Sequence, residues 1–399
     1  MPLHEVTFRL QLVTPTYLGG ADPRVDDPEL RVPSIRGALR YWLRAAIGAT
    51  VGDNITALHQ AESAVFGSTE GQSPVQIWIS NPSAKSEKTP DFWKGGKGYL
   101  FWYMKAHKNK ETREYEPARQ YILPTTTTEA VLHIAAKDTR VLRAAIAALW
   151  LLTHLGGIGA RSRRGAGSLS ATLEPKGQPI DLQNLPFETP QNVGELKKQL
   201  KEGIDIAKEI CSELVLNAVD KQELARLYPV TSLPKYDMFA PGYHQIWVLQ
   251  PSPTNDAPDA PDQEQTWPSV DGVLDALGRA IQNFRSFPGS GRRPARPKEQ
   301  RALLGAPVGN NIRDRHASPL AFRISSVGVP NTTEERYVGM AVLFKSRFPA
   351  ADSEKKHNGR TGNVPHNDRV DYSCIEKWMK NGYWDWEGEQ YFHAEEVKL

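Results

Sequence analysis

Five glycines and three arginines fall within HLGGIGARSRRGAGSL, residues 154–169. That combination suits one kind of chemistry, the holding of an anion. Glycine permits positive φ and lets a second molecule approach the backbone without meeting side chains. Arg161, Arg163 and Arg164 have no acidic residue among them, so their charge is not neutralised locally and fits a polyanion. A mononucleotide cradle fits poorly. Gly157 and Gly159 lack a third glycine at GxGxxG spacing, and no Gly-Lys-Ser/Thr follows.

Two further basic sets have the same character. Between Arg285 and Arg323 stand Arg292, Arg293, Arg296, Lys298, Arg301, Arg313 and Arg315, against Glu299 and Asp314. The proline- and glycine-bearing run FPGSGRRPARPKEQ within it has the composition of a loop that could follow a phosphate backbone. Arg36, Arg40 and Arg44 recur every four residues at the start of a helical pattern, where free amides already favour phosphate. A solvated face is the alternative reading of each set.

Catalytic candidates are sparse. His4, His133, His154, His244 and His316 are scattered in the sequence, none beside a carboxylate or second histidine at metal-ligand spacing. Asp22, Asp26 and Asp27 share a short stretch with Pro23 and Pro28, as turn residues do. Cys211 and Cys374 are too few for a disulfide framework or a cysteine-rich zinc site, and read as small buried apolar residues. No cofactor is implied.

These residues need a scaffold. A chain of 399 residues suggests two domains, or one with large insertions, and a net charge of +3 means any polyanion surface must come from local clustering. There is no signal-peptide pattern at the start and no run of about eighteen apolar residues, so a soluble cytoplasmic protein is expected. Val6, Phe8, Leu10 and Leu12 alternate as in a strand. PSIRGALRYWLRAAIGA follows as a helix, with Ser34 its expected N-cap and Ile35, Leu39, Trp42 and Ala46 on one face. PVQIWIS and EAVLHIAA read as strands, with a possible extra one in YLFWYMKAH. TRVLRAAIAALWLLTHL reads as a buried helix stopped by Gly156 and Gly157, and SLSATLEP as a strand.

The order strand, helix, strand, strand, helix, strand is that of a ferredoxin-like unit. After a charged helix in GELKKQLKEGIDIAKEICSELVLN, the second half gives strands in YHQIWVLQP, SPLAFRISSVG and RYVGMAVLFKSR. Helices there are expected in DGVLDALGRAIQNFRSF and SCIEKWMKNG. The expected class is α+β, with two ferredoxin-like domains, 1–190 and 229–399, and a helical bridge or insertion at 191–228. Trp42, Trp150 and Trp247 fall on apolar faces and read as core. No RNP1-like aromatic run is present, so recognition through phosphate and backbone is expected.

The segments LGG, PSIRGALRYWLRA, FGS, GGIGARSRRGAGS, LLGAPV and RHASPLAFRI, in that order, resemble the RAMP superfamily of CRISPR proteins. Within it they are similar to the subgroup formed by the first Cmr subunit of type III-B effector complexes. The resemblance implies two ferredoxin-like domains and a place near the 3′ part of the guide. It also implies contacts with other Cmr subunits and help in capturing target RNA. CRISPR RNA and target RNA are thus the expected partners, without a membrane. Ser34, Arg36, Gly37, Arg40, Gly157, Gly159, Arg161, Arg163, Arg164 and Gly165 match the superfamily's binding motifs; Arg292, Arg293, Arg296, Arg313 and Arg315 join them on charge alone. Some superfamily members cleave RNA with a histidine or a loop aspartate. A metal-dependent endoribonuclease using Asp26 or Asp27, and a purely structural cap, are therefore the alternatives to a non-catalytic RNA-binding subunit.

Overall fold

The computed structural model describes residues 2–24, 26–82, 84–109, 113–124, 130–174, 181–182, 184–252, 266–285, 303–304, 317–330, 332–347, 371–381 and 390–399. Arg292, Arg293, Arg296, Arg313 and Arg315 lie outside the described residues, as does His316.

The alternating apolar residues of the first segment form β1 (His4–Leu12), and Val6, Phe8, Leu10 and Leu12 are core because alternate side chains share a face. In α1 (Val32–Val51) the residues Ile35, Leu39, Trp42 and Ala46 are buried, as their spacing predicts. Its start is earlier than expected. Arg31 holds the N-cap position without a side-chain capping bond, and Pro33 occupies the first turn, where a missing N–H removes no helical bond. Ser34 is therefore inside the helix and does not cap it. A second helix, α2 (Ile55–Phe66), is capped by Asn54, which accepts from Ala57 N; β2 (Gln76–Ser80) follows.

Residues between β2 and the next long strand form an insertion. It holds β3 (Ser86–Lys88), α3 (Gly95–Leu100), β4 (His107–Lys108), β5 (Tyr115–Glu116) and β6 (Gln120–Ile122), with β3 paired to β6 and β4 to β5. YLFWYMKAH is mostly helical here rather than a strand: α3 runs into a 3-10 turn at Trp102–Met104. Its apolar residues bury in a helical pattern, with Leu100, Phe101 and Met104 inside and Trp102 and Tyr103 outside. An alternating strand could not produce that division.

The main frame resumes with β7 (Val131–Ala136), α4 (Thr139–Leu155) and β8 (Leu169–Glu174). Asp138 caps α4 by accepting from Arg140 N, and Gly156 ends it. The sheet order is β2-β7-β1-β8, every neighbouring pair antiparallel. α4 is buried almost all round because α1 and α5 (Val193–Ala218) also pack on it. At the α4–α5 crossing a Cβ on Gly203 would lie 2.1 Å from Trp150 Cζ2. The charged helix α5 thus shares a core that takes in the first half together with Ile246, Val248, Met340 and Val342 of the second.

A short α6 (Lys221–Leu224) precedes the second sheet. Its elements are β9 (His244–Gln250), α7 (Val270–Arg285), β10 (Leu320–Val327), β11 (Arg336–Phe344), α8 (Ser373–Asn381) and β12 (His393–Glu396). The order β10-β11-β9-β12 repeats that of the first sheet, element for element. Val273, Leu274, Leu277, Ile281 and Phe284 are the buried face of α7, as expected from sequence. Trp42, Trp150 and Trp247 are core, and Cys211 and Cys374 are buried. Among the described residues no helix is long and apolar enough to cross a membrane.

Candidate nucleic-acid interface

The glycine- and arginine-rich loop is the seam between the two halves. Gly165 N donates to Phe322 O at 3.0 Å and Phe322 N to Arg163 O at 3.2 Å, so the loop pairs with the edge strand β10. That edge would otherwise present unpaired backbone groups. Glycine serves the chain's own backbone here. Gly159 has φ +81°, and a Cβ on it would lie 2.3 Å from Tyr17 O; Gly165 has φ +84° and faces Ile324 Cδ1 at 2.7 Å. At Gly157 the neighbour is Gly167 O, 2.9 Å from a would-be Cβ. The close approach expected of an outside molecule is made at all three by the folded chain itself.

The three loop arginines diverge. Arg163 points toward α1: it donates to Asp237 Oδ2 at 3.3 Å and to Ser318 O, and lies 5.1 Å from the Tyr41 ring centroid. The loop's charge is therefore partly neutralised, by Asp237, which sequence proximity could not show. Arg164 is 8% exposed and donates to Leu320 O at 3.3 Å and to Leu304 O. Burial, then the charges of Arg285 and Arg161, push its guanidinium down to about 9, so it remains a cation at neutral pH. Arg161 has φ +64° and lies over the Tyr103 ring at 5.1 Å. Burial lowers its pKa while Tyr103 opposes that shift.

Arg161, Arg164, Tyr99, Trp102, Tyr103 and Arg285 line a cleft of about 350 Å³, with Leu100 and Ile281 as its apolar floor. The insertion supplies the aromatic wall, the loop its cations and α7 the far side. Docking of α3 on α7 holds this arrangement: Gly96 N donates to Asp275 Oδ1 at 2.7 Å, and Lys97 Nζ to Asp271 at 2.7 Å. Among the described residues that line it there is no carboxylate, and the arginines there repel one another, as the lowered Arg164 pKa reflects. Sequence reasoning overlooked the aromatics. The signal was YLFWYM, whose helical burial division puts two rings outward.

The α1 residues separate into two sets. Ser34, Gly37 and Tyr41 share one face at helical spacing, the face that carries Tyr41 to Arg163. Gly37 is exposed, with open space where a Cβ would stand. Arg40 instead clamps α2, donating to Glu62 Oε1 at 2.7 Å, Phe66 O at 2.6 Å and Gly67 O at 2.8 Å. Arg44 approaches Glu62 Oε2 at 3.7 Å, and the buried Nε of Arg36 has no hydrogen-bond partner among the described residues. Arg40 is thus a structural clamp, and the expected row of three free cations does not form.

Asp22, Asp26, Asp27, His133 and His154 each have partners within the folded chain. Asp26 Oδ2 accepts from Asp22 N at 2.8 Å, Asp22 Oδ1 from Arg24 N at 3.0 Å, and Asp27 Oδ1 from Gln120 Nε2 at 2.7 Å. His133 makes a pairing that sequence spacing could not reveal: its ring contacts Glu5 Oε1 at 2.8 Å and Ser80 Oγ at 2.6 Å, and stacks on Trp78 at 4.7 Å. His154 stacks on Trp150 at 4.2 Å and bonds Trp150 O. Among the described residues no group of three or more His, Cys, Asp or Glu side chains is placed to hold a metal ion.

Residues 9–170, from β1 to β8, match the model of the RAMP superfamily, the class that this frame and its glycine-rich loop define. Two CRISPR system Cmr subunits of Pyrococcus furiosus are similar in sequence. Cmr1-2 is 31% identical over 183 residues, 43% of this chain and 97% of the relative. Cmr1-1 is 31% identical over 244 residues, 61% of this chain and 68% of the relative. The chain belongs to the Cmr1 family of RAMP proteins. The crystal structure of Cmr1 from Pyrococcus furiosus in its apo form shares the fold, with a TM-score of 0.54 and 23% identity over 92% of this chain and 95% of that one.

Proposed function

We propose that this chain is a non-catalytic RNA-binding subunit of a type III-B Cmr interference complex, lying near the guide 3′ end and helping to capture target RNA. Its partners are then CRISPR RNA, target RNA and other Cmr subunits. Membership in the Cmr1 family supplies the complex, and the cleft that Arg161, Arg164 and Arg285 share with Trp102 and Tyr103, with no carboxylate among its described lining residues, is the observation that carries RNA binding. Two ferredoxin-like domains, 1–190 and 229–399, are the reading supported by the repeated order of the two sheets. Segment 191–228 then belongs to neither sheet and packs against both halves, with Lys197 paired to Glu395 of β12. Asp22 and Asp26 accept backbone amides within their own turn, which accounts for them without catalysis. Ser34, Gly37 and Arg161 are assigned to RNA. Gly157, Gly159, Arg163, Arg164 and Gly165 shape the loop, and Arg36 and Arg40 the helix that meets it.

The test is binding of the purified chain to labelled single-stranded RNA across a salt series, each mixture also run on a denaturing gel. With about five or six phosphates contacted, log K falls against log salt with a slope near about −4. A slope of that order with intact RNA supports the proposal. Cleaved RNA moves Asp26 and Asp27 to the front, and no binding at low salt favours a cap that meets only protein.

A further inference from the structure

The aromatic wall of the cleft adds what charge alone does not. Trp102 is 61% exposed and Tyr103 59%, although Leu100, Phe101 and Met104 around them are buried. The insertion therefore anchors its backbone in the core and holds two large rings at the surface, beside cations. Each ring offers a π-face for stacking, and the guanidinium carbon of Arg161, 5.1 Å from the Tyr103 ring centroid, is already within cation–π distance. The cavity, about 350 Å³, is at the small end of the range for ligand sites, roughly 300–1,000 Å³. That is room for one nucleotide. A duplex keeps its bases inside and could not fill it, whereas an unpaired base can be splayed out and stacked.

Resting on the RNA-binding reading, we infer that the cleft receives one unpaired nucleotide of single-stranded RNA, its base stacked on Trp102 and its phosphate held by Arg161. The site is tolerant of base identity, because every base has a π-face. Recognition is then more than the phosphate tracking expected from sequence.

The full chain is titrated by fluorescence anisotropy with a labelled decamer of adenosine, and separately with AMP. Trp102→Ala weakens the decamer by about 5- to 150-fold, the effect of losing one stacked base, with an unchanged salt slope. Trp102→Phe restores most of the binding, since stacking survives. Decamer binding by Trp102→Ala equal to wild type overturns the proposal and leaves RNA binding by the chain intact. Failure of the wild-type chain to bind at low salt removes both. Saturable binding of AMP as tight as that of the decamer overturns the chain-bound form in favour of a free-nucleotide site.

Discussion

Asp237 is the point where Arg163 of the glycine-rich loop meets α1. Its Oδ2 accepts from Tyr41 Oη at 2.7 Å and from Arg163 at 3.3 Å, while Oδ1 accepts from Ser346 Oγ at 2.7 Å. Burial and the Asp237 charge hold the Tyr41 hydroxyl protonated far above its ordinary range, so it acts here as a donor. Asp237→Ala leaves Tyr41 without its acceptor and Arg163 with Ser318 O but no carboxylate. The side chains of Arg163 and Asp237 are 28% and 13% exposed, so the loss is set below that of a fully buried pair, at about 2–3 kcal/mol. A denaturant melt measures it; a change under about 0.5 kcal/mol, as at an ordinary surface site, contradicts the role.

Arg161 and Arg163 have different assignments. Arg161→Ala weakens binding to unrelated single-stranded RNAs by similar factors and reduces the salt slope by about 0.7, while leaving the melting midpoint near wild type. Arg163→Ala lowers the midpoint. A loss for Arg161→Ala confined to one RNA sequence contradicts the first statement.

His154 makes stability depend on pH. Its burial, reinforced by the nearby Arg323 charge, pushes the imidazole down from 6.5 to about 3. Between those values the unfolded chain carries a proton at His154 that the folded chain refuses. Stability from this group is therefore complete above about pH 6.5 and is lost as pH falls toward 3, by up to about 1.4 kcal/mol per pH unit. His154→Phe keeps a ring against Trp150 but cannot be protonated. Denaturant melts at pH 7 and pH 5 show a smaller acid loss for the variant; equal losses contradict the assignment.

Gly159 and Gly37 respond oppositely to alanine. At Gly159 a Cβ would stand 2.3 Å from Tyr17 O on a backbone at φ +81°, and Gly159→Ala costs roughly 2 kcal/mol or more. At Gly37 a Cβ meets open space inside an α-helix, so Gly37→Ala stabilises by about 0.5–1 kcal/mol. If RNA approaches that face, Gly37→Ala weakens binding while raising the melting midpoint, a combination that a purely structural glycine cannot give.

The frame was legible in the sequence because local periodicity carries it. β1, α1, β7, α4, β8, β9, α7, β10, β11 and α8 all appear where alternation or helical spacing of apolar residues puts them. α2 and β12 were not anticipated. YLFWYMKAH was misread because aromatic residues favour strands, and its helical form is fixed by docking against α7 through Gly96 and Gly278, where a Cβ on either would meet the other helix within about 2 Å of its backbone.

By itself the sequence determined the order of elements, the buried tryptophans, the local positive charge and the position of the loop between α4 and β8. These follow from residues near one another along the chain. Tertiary structure alone decided which arginines remain available. Arg163 meets Asp237, 74 residues away, and Arg40 meets Glu62 across a helix pair. Arg161 joins Trp102 and Tyr103 in one cleft. Charge neutralisation and cavity formation depend on distance in space, and no spacing along the chain encodes the contacts that bring those side chains together.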